Sequence, residues 1–287
     1  MSWDLKFYKQ QPRVATAIGD VMICQEFSNY EQDLGSGEKL KKMVNPDTNT
    51  KIKKEEKSVT NRHFSEKNKD NFYIRVGQAL GSWMSNSTSN SEHAAIVTTA
   101  WSTSDEGSPN PLGRICDANV GDDDSGRTIR GIAIRVWRAR PAYVYRCTQQ
   151  DLSREASAVG SGLASKVRAS LYGATTARIK GGEYDWDAAA HSVTKFKYVD
   201  AESTKFVDAC YDIMYNVRGA PTHVPGMFCS GFAVVCYMVA AKRVFGDYGR
   251  LGNLNVDPRA ISPKALQSLL ERSDLFSRAG RCYCDGT

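Results

Sequence analysis

The first half of the chain contains short runs in which apolar residues alternate with polar ones or follow one another directly, a pattern typical of half-buried and buried strands. Residues 14–24 predict an opening strand that turns at Gly19-Asp20. Four further strands are expected at 93–101, 114–120, 128–136 and 142–147.

From residue 151 onward the apolar spacing becomes that of amphipathic helices. Helices are predicted at 152–171, 206–215 and 229–244. A last helix is expected to start at Ser262-Pro263, because serine caps a helix N-terminus well and proline fits the first helical position. A β-rich half is therefore followed by a helical half.

One segment departs from this pattern. Residues 29–70 are polar, rich in lysine and poor in large apolar side chains, which predicts a long loop or insertion. An amphipathic helix is predicted after it, at 72–84. Apart from the insertion we expect a single domain over residues 1–287, because a chain of this length with 41% hydrophobic residues can bury one large core.

Charge and hydropathy argue against several function classes. The net charge is +6, but the basic residues form no aromatic-interleaved helix or known recognition motif, so we expect no nucleic-acid partner. No window is apolar over the length of a transmembrane span, so no transmembrane segment is expected. Residues 1–7 lack the basic and apolar regions of an ordinary secretory signal, and we expect synthesis in the cytoplasm.

The eight cysteines are irregularly spaced, and several lie inside apolar strand or helix patterns. This predicts buried free thiols rather than a disulfide framework. Cys282 and Cys284 form a weak candidate pair for a metal site or a disulfide, but no CxxC pair accompanies them. We therefore expect no metal and no cofactor.

Cys229 is the first candidate for chemistry. It follows a Pro-Gly break and opens an apolar run with helical spacing. A thiol at a helix N-terminus feels the positive end of the helix dipole, which stabilises the thiolate. Cys229 therefore has the position that a nucleophile needs.

A base and its partner are expected on two neighbouring strands. If the strands at 93–101 and 114–120 form a hairpin in which His93 pairs with Asp117, Val97 lies opposite Gly113. Because side chains alternate along a strand, His93 and Asp117 then share one face. The carboxylate would orient the imidazole, and the free ring nitrogen would take the proton of Cys229.

Each of these residues also has a structural interpretation. A cysteine at an apolar helix start is more often a small buried hydrophobic residue, and a histidine at a strand start is more often a hydrogen-bonded structural residue. Asp117 could simply end a strand or make an Asx turn. His223, six positions before Cys229, is the main competing base, and His63 and His191 lack a strand context.

Seven short motifs follow one another in a fixed order. They are an opening strand with Gly-Asp, a histidine strand, a strand with an acidic residue before alanine, a later tyrosine-rich strand, a Tyr-Asp element, a cysteine that opens a helix, and a Ser-Pro helix ending in phenylalanine. They occupy residues 17–21, 91–97, 115–118, 143–146, 182–185, 228–230 and 262–276. Their order resembles that of the circularly permuted papain-like superfamily, the NlpC-type group of cysteine peptidases, amidases and lipid acyl hydrolases.

The resemblance implies an α+β fold in which an antiparallel sheet or barrel packs against helices and the nucleophile opens a helix. It implies Cys229 as nucleophile, His93 as base and Asp117 as the third polar residue. Asp117 stands where Glu, His or Asn is more usual, which changes little because any acceptor can orient an imidazole. Ser230-Gly231 replaces a frequent Ser-Glu pair, which leaves the substrate contacts open.

The resemblance also implies a substrate class: first amide bonds in peptidoglycan stem peptides, then acyl esters of lipids, then side-chain amides of proteins. A wall-degrading enzyme without a signal peptide needs a dedicated delivery machine such as type VI secretion. We therefore expect an antibacterial toxin that acts in the periplasm of a target cell and has a cognate immunity protein. Two alternatives are a lipid-directed thiol acyl hydrolase or acyltransferase, and a non-catalytic binding module on the same fold.

Overall fold

The computed structural model describes residues 10–25, 91–100, 113–122, 128–135, 140–171, 180–182, 184–185, 188–189, 192 and 197–284. The chain divides into two compact units, one formed by residues 12–25 and 91–287 and the other by residues 1–11 and 26–90. The predicted insertion at 29–70 and the predicted helix at 72–84 lie outside the described residues. All elements named below belong to the first unit.

Six strands form one antiparallel sheet with the order β4-β3-β2-β1-β5-β8. They are β1 (Val21–Gln25), β2 (Ser91–Thr99), β3 (Arg114–Asp122), β4 (Thr128–Arg135), β5 (Arg140–Cys147) and β8 (Phe276–Cys284). A parallel pair, β6 (Lys180–Gly181) and β7 (His223–Val224), lies outside this sheet. Among the described strands β4 and β8 do not pair with each other, so the sheet is open and is not the closed barrel that the resemblance allowed.

The described residues also form four α-helices, α1 (Gln150–Leu171), α2 (Ala201–Met214), α3 (Cys229–Phe245) and α4 (Pro263–Glu271), and two short 3₁₀ helices, Gly249–Leu254 and Pro258–Ala260. The α+β class with an antiparallel sheet packed against helices is confirmed. The Cys116 thiol of β3 donates to the Gly160 carbonyl of α1, and the Tyr237 hydroxyl of α3 donates to the Gly19 carbonyl before β1. In the part of the chain that the structure describes, every helix is too short or too polar to cross a bilayer.

Several boundaries differ from the predicted ones. Strand β1 begins at Val21 instead of residue 14, and the bounds of α2 and α4 differ as follows. Helix α2 begins at Ala201 instead of residue 206, because the Asp200 carboxylate and the Ser203 hydroxyl form a capping box that supports an additional first turn. The C-terminal helix was predicted to end in Phe276 but ends at Glu271, and Phe276 starts β8 instead. Its predicted start is confirmed, since the Ser262 hydroxyl accepts the Ala265 N–H.

The predicted register of β2 and β3 is wrong by two residues. Val97 lies opposite Ile115, whereas the predicted partner was Gly113. A shift of two positions leaves every side chain on the same face, because the side-chain period of a strand is two. His93 and Asp117 therefore still lie on the same face of the sheet, as expected.

The N-terminus of α3 is held against the segment that precedes α4. The buried Ser230 hydroxyl donates to the Ile261 carbonyl at 2.6 Å. Gly231 lies so close to this segment that an added Cβ would be 2.2 Å from the Pro258 carbonyl oxygen. The glycine after Ser230, where the resembling family often has glutamate, is thus required by the close packing of this segment.

We expect Gly231→Ala to lower the free energy of unfolding by about 1–3 kcal/mol, because the helix end must move away from Pro258. Gly160→Ala in α1 is the matched control, since its Cβ would meet no atom closer than 3.5 Å. It should be neutral or stabilise by up to about 1 kcal/mol through helix propensity. Urea unfolding of both variants checks this, and equal stability of Gly231→Ala and wild type would contradict the packing argument.

Candidate active site

Cys229 is the first residue of α3, as predicted. The preceding residue, Phe228, is extended and makes no side-chain hydrogen bond to the helix end. The N–H groups of the first turn are therefore not capped by this side chain, and their positive dipole end lies at the sulfur. Cys229 is only 3% exposed, so its thiol lies in a site largely shielded from water.

His93 and Asp117 meet between β2 and β3. His93 Nε2 lies 2.6 Å from Asp117 Oδ2, and both residues are buried. An ionised carboxylate can only accept, so Nε2 carries the hydrogen and donates. This fixes the tautomer of His93 and leaves Nδ1 as the ring nitrogen available to the thiol. Asp117 lies in the middle of β3, so the alternative interpretation as a strand end or Asx turn does not apply.

The Cys229 thiol completes this arrangement by a hydrogen bond to the His93 side chain, and the Ala94 N–H also donates to the sulfur. Burial opposes ionisation of Cys229, but His93 and the Ala94 N–H outweigh it and lower the pKa of the thiol. Burial likewise opposes a charged His93, yet Cys229 and Asp117 raise the pKa of the imidazole to about 9. The structure therefore brings together all three residues that the sequence nominated, with electrostatics that favour a thiolate–imidazolium pair.

Sequence reasoning missed a fourth charged residue. Arg135, the last residue of β4, pairs with Ile115 and lies diagonally across from Asp117. Its Nε donates to Asp117 Oδ2 at 3.1 Å, and its Nη2 donates to the same oxygen. Burial alone would raise the pKa of Asp117, but Arg135 and His93 reverse this and hold the pKa of the carboxyl below its usual value.

Tyr184 is a second neighbour whose role the sequence did not indicate. It forms a bridge with Met227, two residues before the nucleophile, and the Asp185 N–H donates to the Met227 carbonyl. Its side chain hydrogen-bonds Cys229, and burial together with Cys229 raises the pKa of Tyr184 well above its usual value. Tyr184 therefore stays a neutral phenol with an O–H group beside the sulfur.

The competing residues lie elsewhere. His223, the main competing base, is exposed in β7 opposite Lys180. The histidine that Cys229 hydrogen-bonds is His93. His63 and His191 lie outside the described residues. The seven described cysteines are buried free thiols, as predicted. Among the described residues no group of three histidine, cysteine or acidic side chains could hold a metal ion. Cys282 is buried in β8, and the side chain of Cys284 lies outside the description.

Comparison with family models, with curated proteins and with solved structures returns no match to this chain.

We expect iodoacetamide to alkylate Cys229 at lower pH than an ordinary thiol, whose pKa is about 8.5. The lowered pKa means that the thiolate is present above it, and the raised pKa of His93 keeps the imidazolium charged up to about pH 9. His93→Ala should shift the alkylation profile to higher pH. Mass spectrometry identifies the modified residue, and buried Cys116 and Cys236, whose pKa values are raised, should stay unmodified in the folded protein.

The guanidinium-unfolded protein is the control, since every cysteine should then react as an ordinary thiol. A Cys229 profile that is the same in the folded and unfolded protein would contradict an activated nucleophile.

Proposed function

We propose that the protein is a cysteine hydrolase that cleaves amide bonds through an acyl-enzyme, with Cys229 as nucleophile, His93 as general base and acid, and Asp117 as the residue that orients His93. The observation that carries this proposal is the chain of hydrogen bonds from the Cys229 thiol to His93 and from His93 Nε2 to Asp117 Oδ2 at 2.6 Å. Nucleophile, base and orienting group are the parts that nucleophilic catalysis requires.

In the proposed reaction the Cys229 thiolate attacks the amide carbonyl and forms a tetrahedral intermediate. The imidazolium of His93 then donates its Nδ1 proton to the leaving amine, and the C–N bond breaks. A water molecule attacks the resulting thioester while His93 accepts its proton. The C–S bond then breaks, the acid product leaves, and the thiolate–imidazolium pair is restored.

The developing oxyanion needs two donors. The backbone N–H of Cys229, in the first turn of α3, is one candidate. The hydroxyl of Tyr184 is the second, because this neutral phenol already contacts the sulfur. Both groups belong to segments fixed through Met227 and Ser230, so they are held in place before a substrate arrives.

The substrate that we propose is a stem peptide of peptidoglycan, and the biological role is that of an antibacterial toxin delivered to the periplasm of a target cell. The order of motifs along the chain supports this class of substrate. The net charge of +6 is suited to an anionic wall polymer.

We expect periplasmic expression of the wild-type chain to lyse bacteria, and expression of Cys229→Ala to be harmless, because the acyl-enzyme cannot form. Cys236→Ala is the matched control: it removes another buried thiol of the same helix and should remain toxic. Growth curves with immunoblots for equal expression provide the comparison, and muropeptide analysis of the lysing cells identifies the cleaved bond.

Equal growth of cells that express wild type and Cys229→Ala would contradict a wall-directed toxin. Release of fatty acid from lipid vesicles without any change in muropeptides would instead identify a lipid acyl hydrolase.

A further inference from the structure

The hydrogen bonds that the described residues make to the Asp117 carboxylate converge on a single oxygen. Asp117 Oδ2 accepts from His93 and from two nitrogens of Arg135, whereas Oδ1 has no partner among the described residues. Arg135 Nη2 also lies 3.5 Å from His93 Nε2. At this distance the positive charge of Arg135 directly affects the ionisation of His93. Arg135 therefore acts on the base both directly and through Asp117.

The charges of this group balance only when Arg135 is present, because Arg135 matches Asp117 whether Cys229 and His93 form a thiol–imidazole or a thiolate–imidazolium pair. When Cys229 is a thiolate and His93 an imidazolium, the two positive groups, His93 and Arg135, match the two negative groups, Cys229 and Asp117. Without Arg135 either state of the pair would place a net negative charge in a site where Asp117 is fully buried and Cys229 is 3% exposed. An uncompensated charge in such surroundings is strongly disfavoured.

We propose that Arg135 is a positioning residue of the active site that holds Asp117 against His93 and supplies the positive charge that balances the Asp117 carboxylate beside His93 and Cys229. The proposal rests on the proposed function, since Arg135 acts through the proposed base.

The charge of Arg135 determines in which direction its removal shifts the titration of Cys229 and His93. Removing a positive charge makes every neighbouring acid harder to deprotonate, so Arg135→Met should raise both the pH at which Cys229 ionises and the pH at which His93 loses its proton. The other titratable neighbours, Tyr184 and Cys116, are neutral because burial raises the pKa of each well above its usual value. They add no charge that could reverse this direction.

The experiment is the pH profile of Cys229 alkylation by iodoacetamide, which needs no substrate. The lower limb of this profile reports the ionisation of Cys229 and the upper limb reports the loss of the His93 proton. We expect both limbs to move to higher pH by about one pH unit in Arg135→Met. Arg135→Lys keeps the positive charge and should leave the limbs close to those of wild type.

Arg146→Met is the matched control for loss of an arginine from a buried aspartate. Arg146 donates from Nε and Nη2 to the buried carboxylate of Asp20, as Arg135 does to Asp117, although it contacts both carboxylate oxygens. The Asp20 carbonyl contacts Val97, four residues along β2 from His93, which is roughly 13 Å. Arg146→Met should lower stability and leave the alkylation profile unchanged.

Arg135→Met leaves the buried Asp117 carboxylate without the positive charge of Arg135. The same substitution is therefore also made in Asp117→Asn, where no carboxylate charge remains. The profile of Asp117→Asn/Arg135→Met should again lie at higher pH than that of Asp117→Asn. Identical profiles with and without Arg135 in this pair would overturn the role of Arg135 while leaving the proposed function intact. Absence of an activated thiolate in the wild-type protein would overturn both.

Discussion

The site depends on one carboxylate oxygen. Asp117 Oδ2 accepts from His93 on one neighbouring strand and from Arg135 on the other. This is possible because β3 lies between β2 and β4 in the sheet, so a side chain in its middle reaches both neighbours. The hydrogen bond from His93 Nε2 to Oδ2 orients the imidazole ring and leaves Nδ1 for Cys229.

The helix that carries Cys229 is held in place by contacts at its N-terminus. Helix α3 is buried along most of its length, and its first turn is held by the Ser230 hydroxyl and by the close approach of Gly231 to Pro258. A helix end that cannot shift keeps the sulfur within reach of His93. Stability of the core and placement of the thiol are therefore served by the same contacts.

Much of this could be predicted from the sequence, and the limits have physical reasons. The pairing of His93 with Asp117 was predictable because strand periodicity fixes the face, even though the predicted register was wrong by two residues. The role of Arg135 was not predictable, because its contact with Asp117 depends on the register of β4 and on the length of the arginine side chain. Strand β8 was missed because its sequence, with Gly280 at its centre, has little of the apolar alternation that marks a strand.

The central claim is that Cys229 and His93 exist as an ion pair, and the charge of His93 tests it most directly. In ¹⁵N NMR spectra of the protein with labelled histidine, we expect His93 to be an imidazolium at pH 8 in wild type, because Cys229 and Asp117 raise its pKa to about 9. Cys229→Ser removes the thiolate, so His93 should lose its proton at lower pH. A neutral His93 at pH 8 in wild type, or the same titration in both proteins, would contradict the account.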